Sequence, residues 1–99
     1  MTINKIQKEG TLTIALAGRL DTTTAPQLEE EINMAPGSVT NLVLDFAGLE
    51  YLSSAGLRVI LTMQKKMSAV DGKMTVKNVN EIIMEVFKVT GFADILTIE

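Results

Sequence analysis

Ninety-nine residues, 46% hydrophobic and 21% charged, suit one domain over residues 1–99. A chain this long buries roughly two-thirds of its extended surface, enough for a single core. The chain has no cysteine and no histidine, which excludes disulfides and thiolate chemistry and argues against structural zinc, serine triads and imidazole acid–base catalysis. A net charge of −3 with no basic run longer than Lys65-Lys66 argues against a nucleic-acid partner.

No apolar stretch approaches the roughly 18 residues of a membrane span. The first six residues lack the continuous apolar core of a signal peptide. The expected location is the cytoplasm, with no membrane partner. No residue pattern calls for a cofactor or a metal. The six methionines read as core filler rather than a metal site. Gly48 and Gly56 do not form a phosphate-cradling loop, because the P-loop lysine is missing.

In chain order, residues 2–8 alternate moderately, with Ile3 and Ile6 out of phase, and read as an edge strand. Glu9-Gly10 reads as a turn. Residues 11–17 alternate well, with Leu12, Ile14 and Leu16 on one face. These two segments form a hairpin. Gly18-Arg19-Leu20-Asp21 then leads to Thr22-Thr23-Thr24. Thr24 with Gln27 makes a capping box, and Pro26 sits in a first turn that tolerates its missing N–H. Ala25, Leu28, Ile32 and Ala35 follow helical spacing, with Glu29–Glu31 on a solvated face, until Ala35-Pro36-Gly37 stops the helix.

Residues 41–46 form the most apolar strand. Leu42, Val43, Leu44 and Phe46 are nearly continuous, which suits a strand covered on both faces. Tyr51-Leu52-Ser53-Ser54-Ala55-Gly56 then joins strand and loop to the longest helix, over about 55–70. There Gly56, Val59, Ile60, Met63, Met67 and Val70 form one stripe, widened by Leu57 and Leu61, and Arg58, Thr62, Lys65 and Lys66 form the solvated face. Met74–Val76 is a short strand. Asn80 caps a helix over 81–90 with Ile82, Ile83, Val86 and Phe87 inward, and Gly91 takes the position after its last turn. Ile95–Ile98 is a last strand. The order β-β-α-β-α-β-α-β predicts an α/β domain: a mixed sheet, parallel apart from the first hairpin, with helices packed against it.

Three blocks in this order resemble the STAS domain of the anti-sigma-factor antagonists. The first is Gly18-Arg19-Leu20-Asp21-Thr22-Thr23-Thr24-Ala25, similar to the family's Gly-x-Leu-Asp loop. The second is Leu42-Val43-Leu44-Asp45-Phe46-Ala47-Gly48-Leu49, similar to its central strand. The third is Tyr51-Leu52-Ser53-Ser54-Ala55-Gly56-Leu57-Arg58, close to its phospho-acceptor motif.

The resemblance implies a phosphorylatable binding module that is a substrate rather than an enzyme, so no catalytic residue is expected. In the unphosphorylated form it binds an anti-sigma factor, which is an ATP-dependent serine kinase, and so frees the sigma factor for transcription. Phosphorylation breaks the complex, and a metal-dependent serine phosphatase resets it. In the family the acceptor lies two positions before the motif glycine, which here is Ser54. Ser53 stands where the best-studied members carry Asp and is a rival acceptor. Asp21 corresponds to an acidic residue that contributes to partner binding. Thr22, Thr23, Thr24, Ser53, Ser54, Ala55, Gly56 and Arg58 complete the implied docking surface.

The residues by themselves leave other readings open. From local pattern alone Ser54 reads as an N-cap, since a helix start carries unpaired N–H groups and about half a positive charge. Asp21 reads as a turn or pre-helix residue that bonds its own backbone. Asp45 ends a parallel-type strand, where receiver domains place a phospho-aspartate. Lys5, Lys8 and Glu9 supply no acidic pair for such a site, so structural loop capping is expected there. A non-switching STAS scaffold subunit of a lipid-transport or signalling assembly is the alternative function.

Overall fold

The computed structural model covers residues 1–99. Its elements are β1 (Thr2–Lys8), β2 (Thr11–Leu20), α1 (Ala25–Asn33), β3 (Asn41–Leu52), α2 (Ser54–Ala69), β4 (Lys73–Lys77), α3 (Glu81–Thr90) and β5 (Thr97–Ile98). A single 3-10 turn, Phe92–Asp94, precedes β5. The strands lie in sequence order across one five-stranded sheet. β1 runs antiparallel to β2, and the other neighbours are parallel. This is the predicted order and the predicted mixed sheet. The hairpin turns through Glu9 (φ +50°) and Gly10 (φ +86°), the two consecutive positive φ values that match the twist of paired strands.

Successive parallel strands are added in one direction, so right-handed crossovers place every connecting helix on the same face. Burial agrees. Leu12, Ile14, Leu16, Leu42, Leu44, Phe46, Met74 and Val76 are buried, while Thr13, Val43, Asp45 and Thr75 on the opposite face stay partly exposed. The expectation that the central strand is covered on both faces therefore does not hold. Val43, which made that run look continuous, belongs to the uncovered face. Phe46 and Phe87 meet across the core with centroids 6.4 Å apart.

β3 is twice as long as its apolar run suggested. Along it the buried residues are Leu42, Leu44, Phe46, Leu49 and Leu52, so the spacing changes from two to three. Two register shifts against β2 absorb the change: Ala15 pairs Asp45 but Ala17 pairs Gly48, and Gly18 pairs Leu49 but Arg19 pairs Tyr51. Each is a bulge with one extra residue in β3, which returns the next leucine to the helix-covered face. The first bulge needs a glycine, since a Cβ on Gly48 would lie 2.9 Å from the Cβ of Ala17. β2 likewise continues past Ala17 to Leu20, through Gly18 at φ +97°.

Other boundaries moved less. α3 keeps its predicted limits, capped by Asn80 Oδ1 accepting from the N–H of Ile83 at 2.8 Å and closed by Gly91 at φ +82°. Ile82 was expected inward but is 71% exposed, because only Ile83 and Phe87 of this helix are buried. Val70 was placed on the buried stripe of α2 but ends the helix as an exposed C-cap. Ile95 and Leu96 lie before β5 rather than in it. No helix is long and apolar enough to cross a membrane.

Candidate functional site

The predicted site residues gather where β2 and β3 end. Leu20 pairs with Leu52 at the last register position, and the N–H of Ser53 donates to the carbonyl of Leu20 at 2.9 Å. The two following loops therefore leave the carboxyl edge of the sheet side by side. In parallel sheets that edge is where sites form, because helix starts with free N–H groups face it.

The first loop is built around Asp21. Its Oδ1 accepts from the N–H of Thr23 at 3.0 Å, the hydroxyl of Thr23 at 2.8 Å and the N–H of Thr24 at 3.2 Å. Its carbonyl also accepts from the N–H of Ala25 at 2.8 Å. Asp21 thus caps the turn that leads into α1, bonding the second and third residues after it as an N-cap side chain does. The expected capping box on Thr24 does not form. Thr24 has helical φ and ψ and makes no side-chain cap bond. Its hydroxyl turns back into the loop, accepting from the N–H of Asp21 and donating to the carbonyl of Arg19, both at 2.8 Å. Thr22 and Thr23 are exposed, and Asp21 and Thr24 are half-buried.

These bonds to the charged form hold the Asp21 carboxyl below its ordinary value. The Thr23 hydroxyl contributes most, partial burial opposes it, and the backbone N–H groups of Thr23 and Thr24 add to the lowering. Asp21 Oδ2 makes no such bond and lies 3.7 Å from Nε of Arg19.

The second loop separates the two serines. Ser53 has extended backbone and is the N-cap of α2, its Oγ accepting from the N–H of Gly56 at 3.2 Å. Ser54 is the first residue of the helix and is exposed, and its Oγ has no part in the cap. The capping role expected of Ser54 therefore belongs to Ser53. Ala55 is half-buried, Gly56 is buried and Arg58 is exposed one turn further on. Gly56 is the close contact between helix and sheet: a Cβ there would lie 2.7 Å from Leu52 Cδ1, 2.8 Å from Leu20 Cγ and 3.1 Å from the Leu20 carbonyl oxygen. The glycine lets α2 begin directly over the two strand ends and holds Ser54 at the rim.

Asp45 has the loop-capping role expected of it. Its Oδ1 accepts from the Asn78 amide at 2.9 Å and the Ala47 N–H at 3.0 Å, tying the first bulge of β3 to the end of β4. The Asn78 amide is the main cause of its lowered pKa, followed by the Ala47 N–H; slight burial opposes and Lys77 assists. A carboxyl lowered below its ordinary 3.8 stabilises the fold above that pH and loses the contribution as pH falls through the folded value. The melting-temperature gap between the wild type and Asp45→Asn is thus expected to hold between about pH 5 and 7 and to narrow as pH falls below 3.8. Thermal melts by circular dichroism across that range check this, and a gap that does not narrow below pH 3.8 contradicts it.

Two further residues meet at this edge that the sequence did not single out. The register pairs Arg19 with Tyr51, and the Arg19 guanidinium carbon sits 4.0 Å from the centroid of the Tyr51 ring. The only sequence signal for this contact was that each residue lies two positions before a loop of the site. No group of three His, Cys, Asp or Glu side chains is placed to hold a metal ion.

Comparison with known proteins agrees with this architecture. The family described as STAS domain matches residues 2–99. The chain is 34% identical over 99 residues, covering 99% of itself and 84% of the other, to BtrV of Bordetella bronchiseptica, a candidate anti-sigma factor antagonist by its name. It is 27% identical over 92 residues to the anti-sigma-B factor antagonist of Bacillus subtilis, covering 93% of itself and 84% of that protein. The solved structure of the Bacillus cell fate determinant SpoIIAA in its phosphorylated form shares the fold. Its TM-score is 0.80 at 24% identity, with 99% of this chain and 91% of that chain covered.

Proposed function

This chain belongs to the STAS domain family, and we propose that it is an anti-sigma factor antagonist switched by phosphorylation of Ser54. In its unphosphorylated form the surface around Ser54 binds an anti-sigma factor that is an ATP-dependent serine kinase. In its phosphorylated form it lets that partner go, and a metal-dependent serine phosphatase restores the binding form. The protein is the substrate of this cycle and supplies no catalytic group.

The observation that carries the choice of acceptor is the division of labour between the two serines. Ser53 Oγ is engaged in the cap of α2, while Ser54 Oγ is exposed on the first helical residue. Phosphorylating Ser53 requires the Oγ of this half-buried residue to leave a cap bond worth about 1 kcal/mol to reach the kinase. Phosphorylating Ser54 places about −1.5 to −2 charges where the helix start favours negative charge. A serine at position 53 in place of the aspartate of the best-studied members also has a physical account, since Asp and Ser cap helices about equally well.

Switching follows from where the charge appears. The phosphoryl group does not strain the fold, because the helix dipole accepts it and Arg58 lies one turn away. It blocks the partner, which must desolvate and pack against that rim. Asp21, paired with Arg19 at 3.7 Å in the neighbouring loop, places a carboxylate at the same edge.

The test is incubation with the cognate anti-sigma factor kinase and ATP, with mapping of the modified residue. Label on Ser54 is expected, with Ser54→Ala unlabelled. Ser53→Ala stays labelled while its melting temperature drops by roughly 4–8 °C, the equivalent of losing about 1 kcal/mol in a domain of this size. Labelling at Ser53, with Ser54→Ala labelled normally, would sink the assignment.

A further inference from the structure

Arg19 and Tyr51 are far apart in sequence and are brought together only by the pairing of β2 with β3. The Arg19 side chain is 60% exposed and Tyr51 is 41% exposed. The guanidinium carbon lies 4.0 Å from the centroid of the tyrosine ring, within cation–π range. Asp21 Oδ2 forms an ion pair with Nε at 3.7 Å, which is longer than a hydrogen bond. Apart from that pair the guanidinium donors are uncommitted.

A planar guanidinium is a matched receptor for a planar carboxylate, which it can bind through two parallel N–H bonds. Contact with the ring narrows the arrangements open to the side chain and so lowers the ordering cost that an exposed arginine otherwise incurs on binding. Tyr and Arg are also the side chains enriched among the few that dominate protein interfaces. The position fits: Arg19 precedes Asp21 by two residues, Tyr51 precedes Ser53 by two, and both lie at the sheet edge that carries Ser54.

We infer that the Arg19–Tyr51 stack is the anchor of the docking surface and receives an Asp or Glu side chain of the partner protein. This rests on the reading of the chain as an antagonist that binds an anti-sigma factor kinase, and it extends that reading to the residues that set affinity. The guanidinium takes the carboxylate, and the ring face excludes water from one side of the pair. The competing anion is the phosphoryl group of Ser54 itself, which would claim Arg19 only in the released form.

The experiment is titration calorimetry of the unphosphorylated protein against the kinase that labels Ser54, at two salt concentrations. Arg19→Ala is expected to weaken binding at least tenfold and to flatten its salt dependence, while Arg19→Lys restores only part of the loss. Tyr51→Phe keeps near wild-type affinity and Tyr51→Ala loses several-fold. Melting temperatures of all four variants stay close to wild type, which separates loss of contact from loss of fold. Unchanged affinity and salt dependence in Arg19→Ala overturns the inference and assigns Arg19 to the phosphorylated form or to the fold alone. If Arg19→Ala does not fold, Arg19→Lys decides, since affinity equal to wild type there also overturns it. A wild-type protein that is neither labelled nor bound by the kinase overturns the parent reading, and this one with it.

Discussion

Ser54→Asp is expected to weaken binding to the anti-sigma factor by well over tenfold, more than about 1.4 kcal/mol, while the domain melts at or slightly above the wild-type temperature. The two effects have opposite signs for one physical reason each. Ser54 is the first residue of α2 and is exposed. A carboxylate there meets the positive end of the helix dipole and gains about 0.3–1 kcal/mol. The same charge faces a partner that must remove it from water without a prepared counter-ion, which costs more than the helix returns. Calorimetry for affinity and circular dichroism for stability read the two quantities separately. Unchanged affinity would count against a switch that works by blocking the surface. A large fall in melting temperature would mean that the charge melts the helix start instead.

Gly56→Val is expected to destabilise the domain by about 3 kcal/mol, and Gly56→Ala by about 1–2 kcal/mol, the range for forcing atoms into a packed site. At this size each kcal/mol corresponds to roughly 4–8 °C of melting temperature. A Cβ at Gly56 meets Leu52 Cδ1, Leu20 Cγ and the Leu20 carbonyl oxygen between 2.7 and 3.1 Å. Leu52 can turn its methyl away, but the carbonyl belongs to the backbone that receives the N–H of Ser53. Helix propensity acts the other way, since alanine is favoured over glycine within a helix by about 1 kcal/mol. The contacts outweigh it because they involve two strand ends and a main-chain oxygen. Thermal unfolding decides the sign: an alanine variant that melts above wild type shows that the sheet yields and that the close approach is not required. Weakened partner binding in Gly56→Ala is then expected from displacement of Ser54, although Gly56 itself is buried and offers the partner no surface.

The order of elements was legible in the sequence because it depends on local pattern. The alternation of Leu12, Ile14 and Leu16, the helical spacing of Gly56, Val59, Ile60, Met63 and Met67, the turn at Glu9-Gly10 and the cap at Asn80 each act within a few residues. Most failures came where the partner of a residue lies far along the chain, with Thr24 the local exception. The outer half of β3 breaks the alternation at Ala47 and at Glu50, and only pairing with β2 shows these as bulges. Ile82 carries the right hydrophobicity for the core but faces outward, because the side of α3 that meets the sheet is set by the crossover and not by composition. Thr24 has the sequence of a cap but gives its hydroxyl to the preceding loop, since Asp21 has already begun the turn.

The candidate site divides in the same way. Read in one dimension, the chain already carries the class of fold, the absence of thiol and imidazole chemistry, and the three blocks that hold Asp21, Asp45 and the serine pair. Those features are residue identities and short spacings, and both are fully present in the linear chain. The folded chain was needed to show which serine caps α2 and which is exposed, that one face of the sheet is uncovered, and that Arg19 lies on Tyr51. The cap turns on the extended backbone of Ser53 where the strand ends, the uncovered face on the handedness of the crossovers, and the Arg19–Tyr51 contact on the register of β2 against β3, a long-range pairing selected by burial of the whole core.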